Sequence, residues 1–166
     1  YYWNKTNKTL QKQIFLAQLD LAGKADLPVI IHSRDALLDT LDCLKKWTKE
    51  LGLIKGRKYG VLHSFEGDAE QAKIALPLNF LISLAGPVTY KNAQNKHTLA
   101  KQLPLELMVL ETDSPYLSPV PHRGRRNHPK NIILIAERIA QIRETTLKWI
   151  AQETSKNAND LFAWEY

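Results

Sequence analysis

The stretch Leu27-Pro28-Val29-Ile30-Ile31-His32-Ser33-Arg34-Asp35-Ala36 decides the fold. Pro28 closes what precedes it, Val29-Ile30-Ile31 is apolar on successive residues, and the chain turns polar at His32. A strand apolar on both faces belongs in a parallel sheet that helices cover. Helical spacing flanks it on either side. Leu10, Ile14, Ala17, Leu21 and Ala25 predict a helix over Lys8 to Lys24. Leu37, Leu41, Leu44 and Thr48 predict a second helix that stops at Gly52. The unit then recurs. Tyr59 to His63 reads as a strand, and Asp68 with Gln71 resembles a capping box opening a helix that ends at Pro77. Phe80 to Ser83 reads as a third strand before a Gly86-Pro87 turn, Asn95 to Gln102 as a helix, and Leu107 to Leu110 as a fourth strand. Pro129 suits the first turn of a helix bearing Ile132, Ile135, Ala136 and Ile139, and Thr145 to Tyr166 reads as two short helical pieces. Strand and helix alternating four times marks a parallel α/β fold, either an open doubly wound sheet or a (β/α)8 barrel. Four units cannot close a barrel, which needs eight strands and about 250 residues.

Composition narrows the setting. The chain has 166 residues, 44% hydrophobic and 24% charged, enough for one domain with a real core and too apolar for a disordered tail. A single cysteine, Cys43, excludes an internal disulfide framework and points to a reducing, cytoplasmic setting. No apolar run approaches the roughly 20 residues of a membrane span, so no membrane partner is expected. The opening Tyr1-Tyr2-Trp3-Asn4-Lys5 lacks a leader-like core and an initiator Met, so the chain is expected to be a piece of something longer. The net charge of +6 favours anionic partners without identifying one.

The chemistry lies just past the strands. Three of the four run into His32-Ser33-Arg34-Asp35, His63-Ser64-Phe65 and Glu111-Thr112-Asp113-Ser114. In parallel α/β folds the carboxyl ends of the strands surround the active site, so His32, His63 and Asp113 are expected to converge at one mouth. Neutral imidazole and ionised carboxylate are the usual ligands of zinc, manganese and related divalent ions. Singly, each has a plainer reading: a strand-end His is commonly a hydrogen-bonded structural residue, and Asp113 before Ser114-Pro115 can cap a turn. In phase at strand ends they favour the metal reading. The segment from Pro121 to Lys130 adds Arg123, Arg125, Arg126 and Lys130 to His122 and His128. It follows the last strand and should lie over the same mouth, where guanidinium forks hold phosphate oxygens and Gly124 allows close backbone approach. The plainer alternative is a solvated basic loop. Cys43, on an apolar helix face with no His beside it, reads as a structural thiol. Trp47, Trp149 and Trp164 read as helix-packing residues, and Tyr1, Tyr2 and Trp3 as a terminal packing cluster. Neither a dinucleotide fingerprint nor a Walker loop is present.

The strings LPVIIHSRDA (27–36), GVLHSF (60–65), LISLAGPVTY (81–90), ETDSPYLSPVPHRGRRNHP (111–129) and NANDLF (157–162) resemble the C-terminal part of the TatD family of metal-dependent deoxyribonucleases. The likeness runs in order over essentially the whole chain, and ETDSPYL followed by PHRG is its most specific part. It implies an α/β fold made of the last four βα units of a metal-dependent hydrolase barrel, a partial TIM (β/α)8 barrel, with residues 1–166 as a single incomplete domain. It implies that His32 and His63 are metal ligands on consecutive strands. It makes Asp113 both a metal ligand and the catalytic carboxylate that takes a proton from the attacking water. Glu111 takes a supporting role behind the ligands. The family uses two divalent cations, with Mg, Mn and Zn as candidates. The chain also departs from the pattern. It contains no His-x-His pair and no segment like GEIGLDYY with its bridging Glu. The expectation is that the first four units are missing and the two-metal centre is incomplete.

The implied reaction is hydrolysis of phosphodiester bonds in DNA, with RNA as the other candidate substrate and Arg34 and Arg123 holding phosphates. Other readings are a metal-dependent hydrolase of different specificity on the same fold, an inactive fragment or complementing half-barrel, and a nucleic-acid binder that uses the basic loop without catalysis. Half a barrel leaves open sheet edges and bare apolar faces, so pairing with the missing half or self-association is expected.

Overall fold

Four parallel strands lie side by side in chain order: β1 (Val29–His32), β2 (Gly60–His63), β3 (Phe80–Leu84) and β4 (Met108–Leu110). The structure is a computed structural model that describes residues 7–52, 54 and 56–163. Six helices accompany the strands: α1 (Lys8–Lys24), α2 (Leu37–Leu51), α3 (Ala69–Ala75), α4 (Gln94–Gln102), α5 (Ile132–Ile142) and α6 (Leu147–Phe162). The parallel ladder aligns Ile31 with Leu62 and Leu62 with Ile82, and Ile82 with Met108. These four side chains point to one face and enter the main core with Leu44, Phe80, Leu99, Ile135, Ile139 and Ile150. Each fully buried Leu, Ile or Phe there contributes roughly 1.5–3 kcal/mol relative to exposure. The opposite face carries Val61, Leu81 and Val109, covered by Leu161 and Phe162 at the end of α6.

Local chemistry sets the boundaries. Asp68 and Gln71 form a reciprocal capping box, Gln71 N donating to Asp68 Oδ1 at 2.9 Å and Asp68 N to Gln71 Oε1 at 3.2 Å. Gly52 ends α2 at φ 73°. Pro129 opens a short 3-10 turn, Pro129–Asn131, that leads directly into α5. The tail differs from expectation: α6 is one continuous helix, because Thr146 caps it by accepting from Trp149 N at 3.1 Å and its buried residues, Ile150, Thr154, Asn157 and Leu161, keep helical phase throughout. Among the described residues no helix is long and apolar enough to cross a membrane.

In α1, Leu10, Ile14 and Leu21 are exposed, and the helix packs through Leu19 with Phe15 and Ala22. One packing expectation is corrected. Trp149 is half exposed, whereas Trp47 is buried against Tyr59 and Phe80. Trp164 and the Tyr1-Tyr2-Trp3 cluster lie outside the described residues.

Candidate metal centre

The ladder pairs His32 with His63, so the pleat places both imidazoles side by side on the face that bears Ile30 and Val61. Their ring centroids are 5.5 Å apart. From the far side of the sheet, Glu111 N donates to Leu84 O at 3.2 Å, extending the β4 register by one residue. That extension brings Glu111 Oε2 to 2.8 Å from His63 Nδ1. Asp113 Oδ1 lies 3.3 Å from His63 Nε2. The strand ends thus bring His63, Glu111 and Asp113 into contact and set His32 beside them. Among the described residues no three His, Cys, Asp or Glu side chains form a closed group ready to hold a metal ion.

The donor set nevertheless fits a cation. With Nδ1–H donating to Glu111, a tautomer assigned from this network, a neutral His63 turns the Nε2 lone pair toward Asp113 Oδ1. Two acceptors 3.3 Å apart with no proton between them repel. A cation between the two atoms would meet both as ligands. Two buried oxygens nearby, Glu111 Oε1 and Ser83 Oγ, have no hydrogen-bond partner among the described residues. Ser83, in register with Val109, shares the face of the imidazoles. Carboxylate oxygen and imidazole nitrogen are the donor types a divalent ion takes.

The loops that carry these groups are conformationally strained. Asp35 (φ 53°), Ser64 (φ 44°), Asp113 (φ 54°) and Leu117 (φ 51°) are left-handed although none is glycine. Such residues cost on the order of 1–3 kcal/mol each and cluster at functional sites. They border a cleft of about 1230 Å³ whose lining includes His32, Arg34, His63, Lys96, Asp113 and Tyr116.

Arg34 reaches the cleft, with Nε 3.7 Å from Glu66 Oε1 across the mouth. Arg123 is placed elsewhere. It is absent from the cleft lining, and its guanidinium lies 4.4 Å over the Tyr90 ring. Tyr90 donates its hydroxyl to Ser118 O at 3.0 Å; burial pushes the phenol up, and the Arg123 charge opposes that rise. The segment from Pro121 to Lys130 contributes no residue to the cleft lining. Its arginines are exposed, while Asn127 within it is buried. Cys43 is buried, and that burial pushes its thiol up, as a structural role requires.

Three residues near the site escape the sequence reading. Ser83 is hidden inside an apolar strand. Asn127 is masked by the cations around it. Lys96 looks like an ordinary helix-surface lysine. It donates to Phe65 O at 2.6 Å and Gly67 O at 2.9 Å, holding the loop after His63. The one available signal is the Asp68–Gln71 box, which fixes where that loop ends.

The parallel α/β sheet and its strand-end donors place the chain among known proteins. Residues 1–163 match the family described as TatD related DNase, and the chain belongs to that family. It is 41% identical over 163 residues to the "Uncharacterized metal-dependent hydrolase YabD" of Bacillus subtilis, covering 98% of this chain and 61% of that protein. It is 38% identical to the "Uncharacterized metal-dependent hydrolase YcfH" of Escherichia coli K12, covering 98% of this chain and 59% of that one. The crystal structure of YJJV, a TatD homologue from Escherichia coli, superposes with a TM-score of 0.79 at 30% identity, over 89% of this chain and 54% of that chain. A TatD family hydrolase from Entamoeba histolytica superposes with a TM-score of 0.78 at 25% identity, over 96% of this chain and 58% of that one. The chain thus spans about three-fifths of the length of the curated relatives it matches.

Proposed function

We propose that this chain carries part of the metal centre of a hydrolase that cleaves phosphodiester bonds in DNA. One observation carries the reading: His63 Nε2 and Asp113 Oδ1 face each other at 3.3 Å while Glu111 holds the opposite ring nitrogen. His32, His63 and Asp113 would hold a divalent cation (Mg, Mn or Zn), the intact family site taking two. A cation held there supplies Lewis acidity toward a phosphoryl oxygen and a nucleophile at neutral pH. Glu111 fixes the His63 tautomer and ring plane. Asp113 is the base that accepts a proton from the attacking water. Arg34, at the mouth, binds a substrate phosphate, and Arg123 binds one further along the strand.

The four strands are read as the last four of a (β/α)8 barrel, and residues 1–166 as one incomplete domain of it. Its support is the bare inner face at Ile30 on β1, 65% exposed, and the free outer edges of β1 and β4 among the described residues. The same observation favours the second reading, in which the chain complements a partner half-barrel or a second copy and is inactive alone. A cytoplasmic location goes with the reduced Cys43.

Mn²⁺-dependent release of nucleotides from a labelled single-stranded oligodeoxynucleotide tests the function, with an oligoribonucleotide and a small ester as competing substrates. Asp113→Asn is expected to lower kcat by about 10²–10⁴-fold, the usual worth of a positioned base. Cleavage that survives both chelator and Asp113→Asn sinks the reading. Arg123→Ala is expected to weaken DNA binding and flatten its dependence on log salt by about one unit, measured by fluorescence anisotropy. An unchanged slope removes Arg123 from the phosphate-binding set.

A further inference from the structure

The signature ETDSPYLSPVPHRGRRNHP contains more than its charges explain, and its buried member is the informative one. Asn127 is 2% exposed in a segment whose arginines are solvated. Its Nδ2 donates to Thr112 O at 2.7 Å and to Tyr116 O at 2.7 Å, the carbonyls on either side of Asp113-Ser114-Pro115. Its backbone N donates to Pro115 O at 3.0 Å. Its Oδ1 accepts from His128 N at 2.9 Å and from Asn131 Nδ2 at 2.8 Å. Every hydrogen-bonding capacity of the amide is used. The Thr112 and Tyr116 carbonyls and the His128 N–H settle which way the amide faces, and Asn131, itself 5% exposed, completes the acceptor side. A flipped amide would set Oδ1 against two carbonyls and Nδ2 against two donors. Within the loop so gripped, Tyr116 N donates to Asp113 O at 2.8 Å, and Asp113 keeps its left-handed φ of 54°. A strained carboxylate-bearing residue holds its conformation only when its surroundings over-determine it.

We propose that Asn127 is the positioning residue of Asp113. The segment from Pro121 to Lys130 acts on the site through this amide, by clamping the Thr112–Tyr116 loop so that Asp113 faces His63. The inference rests on the metal reading above for its affinity readout and on the hydrogen bonds alone for its local one.

The decisive variant is Asn127→Asp. It keeps size and the acceptor toward His128 and Asn131, and it sets an oxygen against two carbonyls in place of the donors. Mn²⁺ affinity, read by water proton relaxation, is expected to fall about tenfold or more, as for other groups that orient a ligand. Amide exchange is expected to quicken at Tyr116 while Leu62, Leu81 and Ile82 keep their protection. Ser118→Ala is the control. It cuts another tie on this segment, Ser118 Oγ to Arg125 O at 2.5 Å, without touching the carbonyls around Asp113, and is expected to leave Mn²⁺ affinity unchanged. Asn131→Ala, which removes one of the two donors to Asn127 Oδ1, is expected to give a smaller affinity loss and decides the matter should Asn127→Asp fail to fold. An unchanged affinity in folded Asn127→Asp, or equal losses in Asn127→Asp and Ser118→Ala, overturns the proposal. A parent chain that binds no Mn²⁺ overturns the metal reading alone. Exchange at Tyr116 then decides for or against Asn127, an unaltered rate counting against it.

Discussion

Lys96 serves two opposed needs. Its ammonium satisfies the carbonyls of Phe65 and Gly67, and it must leave bulk water to do so. Burial brings it from the ordinary 10.5 down to about 8, against the pull of Glu66 and Asp68. Below about 8 the group is protonated in both the folded and unfolded chain, and the fold carries the whole cost of the buried charge. Between about 8 and 10.5 the unfolded chain binds more protons, so this residue's contribution to stability rises with pH across that window. Urea unfolding of the parent chain and Lys96→Met is therefore expected to diverge with pH, the difference shifting toward the parent from pH 8 to pH 10. Parallel pH profiles would show that Lys96 is solvated in solution. No sequence pattern distinguishes this lysine, because its partners lie about 30 positions away on another unit. His32, His63, Glu111 and Asp113 are legible for the opposite reason. Each lies at or within three residues of the end of an apolar strand, and the carboxyl ends of parallel strands share one rim. Asn127 resembles Lys96, since only the folded loop reveals that its amide spans two carbonyls.

At the scale of elements, the contact between the end of β3 and the loop after β4 holds the site together. Gly86 makes it possible. A Cβ there would stand 1.8 Å from Leu117 O, which is backbone and cannot swing aside. Thr89 Oγ1 ties the same two elements, donating to Gly86 O at 2.7 Å and accepting from Val120 N at 2.9 Å. Gly86→Ala is expected to push the Asp113-bearing loop off the sheet. It should destabilise the chain by about 1–3 kcal/mol, the usual cost of overpacking, and weaken Mn²⁺ binding in parallel. Chemical denaturation and metal titration on one preparation check it; full stability with full affinity would mean that the loop does not rest on Gly86. The elements themselves are legible to within a residue or two, since period, caps and prolines act locally. Faces are harder to read. The apolar period of Leu10, Ile14 and Leu21 marks α1 as a helix but not its core side, because Phe15, Leu19 and Ala22 form a second apolar stripe that packs into the main core. Two stripes on one helix imply two neighbours, and the sequence of the helix alone does not rank them. The tail is misread for a related reason: polar residues such as Lys156 and Asn157 look like a break, yet Asn157 is buried, donating to Leu105 O at 2.7 Å and Met108 O at 2.8 Å.

At the scale of the whole molecule, one group of unmatched surfaces lies at the β1 end of the sheet. The exposed stripe of α1, Leu27 at 61% exposure and Ile30 at 65% all belong to the β1 end of the sheet, where the strand also has no partner along its outer edge among the described residues. An unpaired strand edge beside clustered apolar side chains is a template for association. At the other end, α6 covers the face that carries Val61, Leu81 and Val109, so the two ends are not equivalent. Association should therefore proceed through the β1 side. Sedimentation velocity of the isolated chain is expected to show a mass that rises with concentration. The pair Leu21→Lys with Ile30→Lys is expected to return it to a monomer while changing stability by no more than about 0.5 kcal/mol per site, because both side chains are already in water. The combination separates surface from core: loss of association with loss of stability would mean that these residues pack internally. A concentration-independent monomer of the unaltered chain would mean that the bare face is content in water, and would remove the main support for reading the four strands as part of a closed barrel.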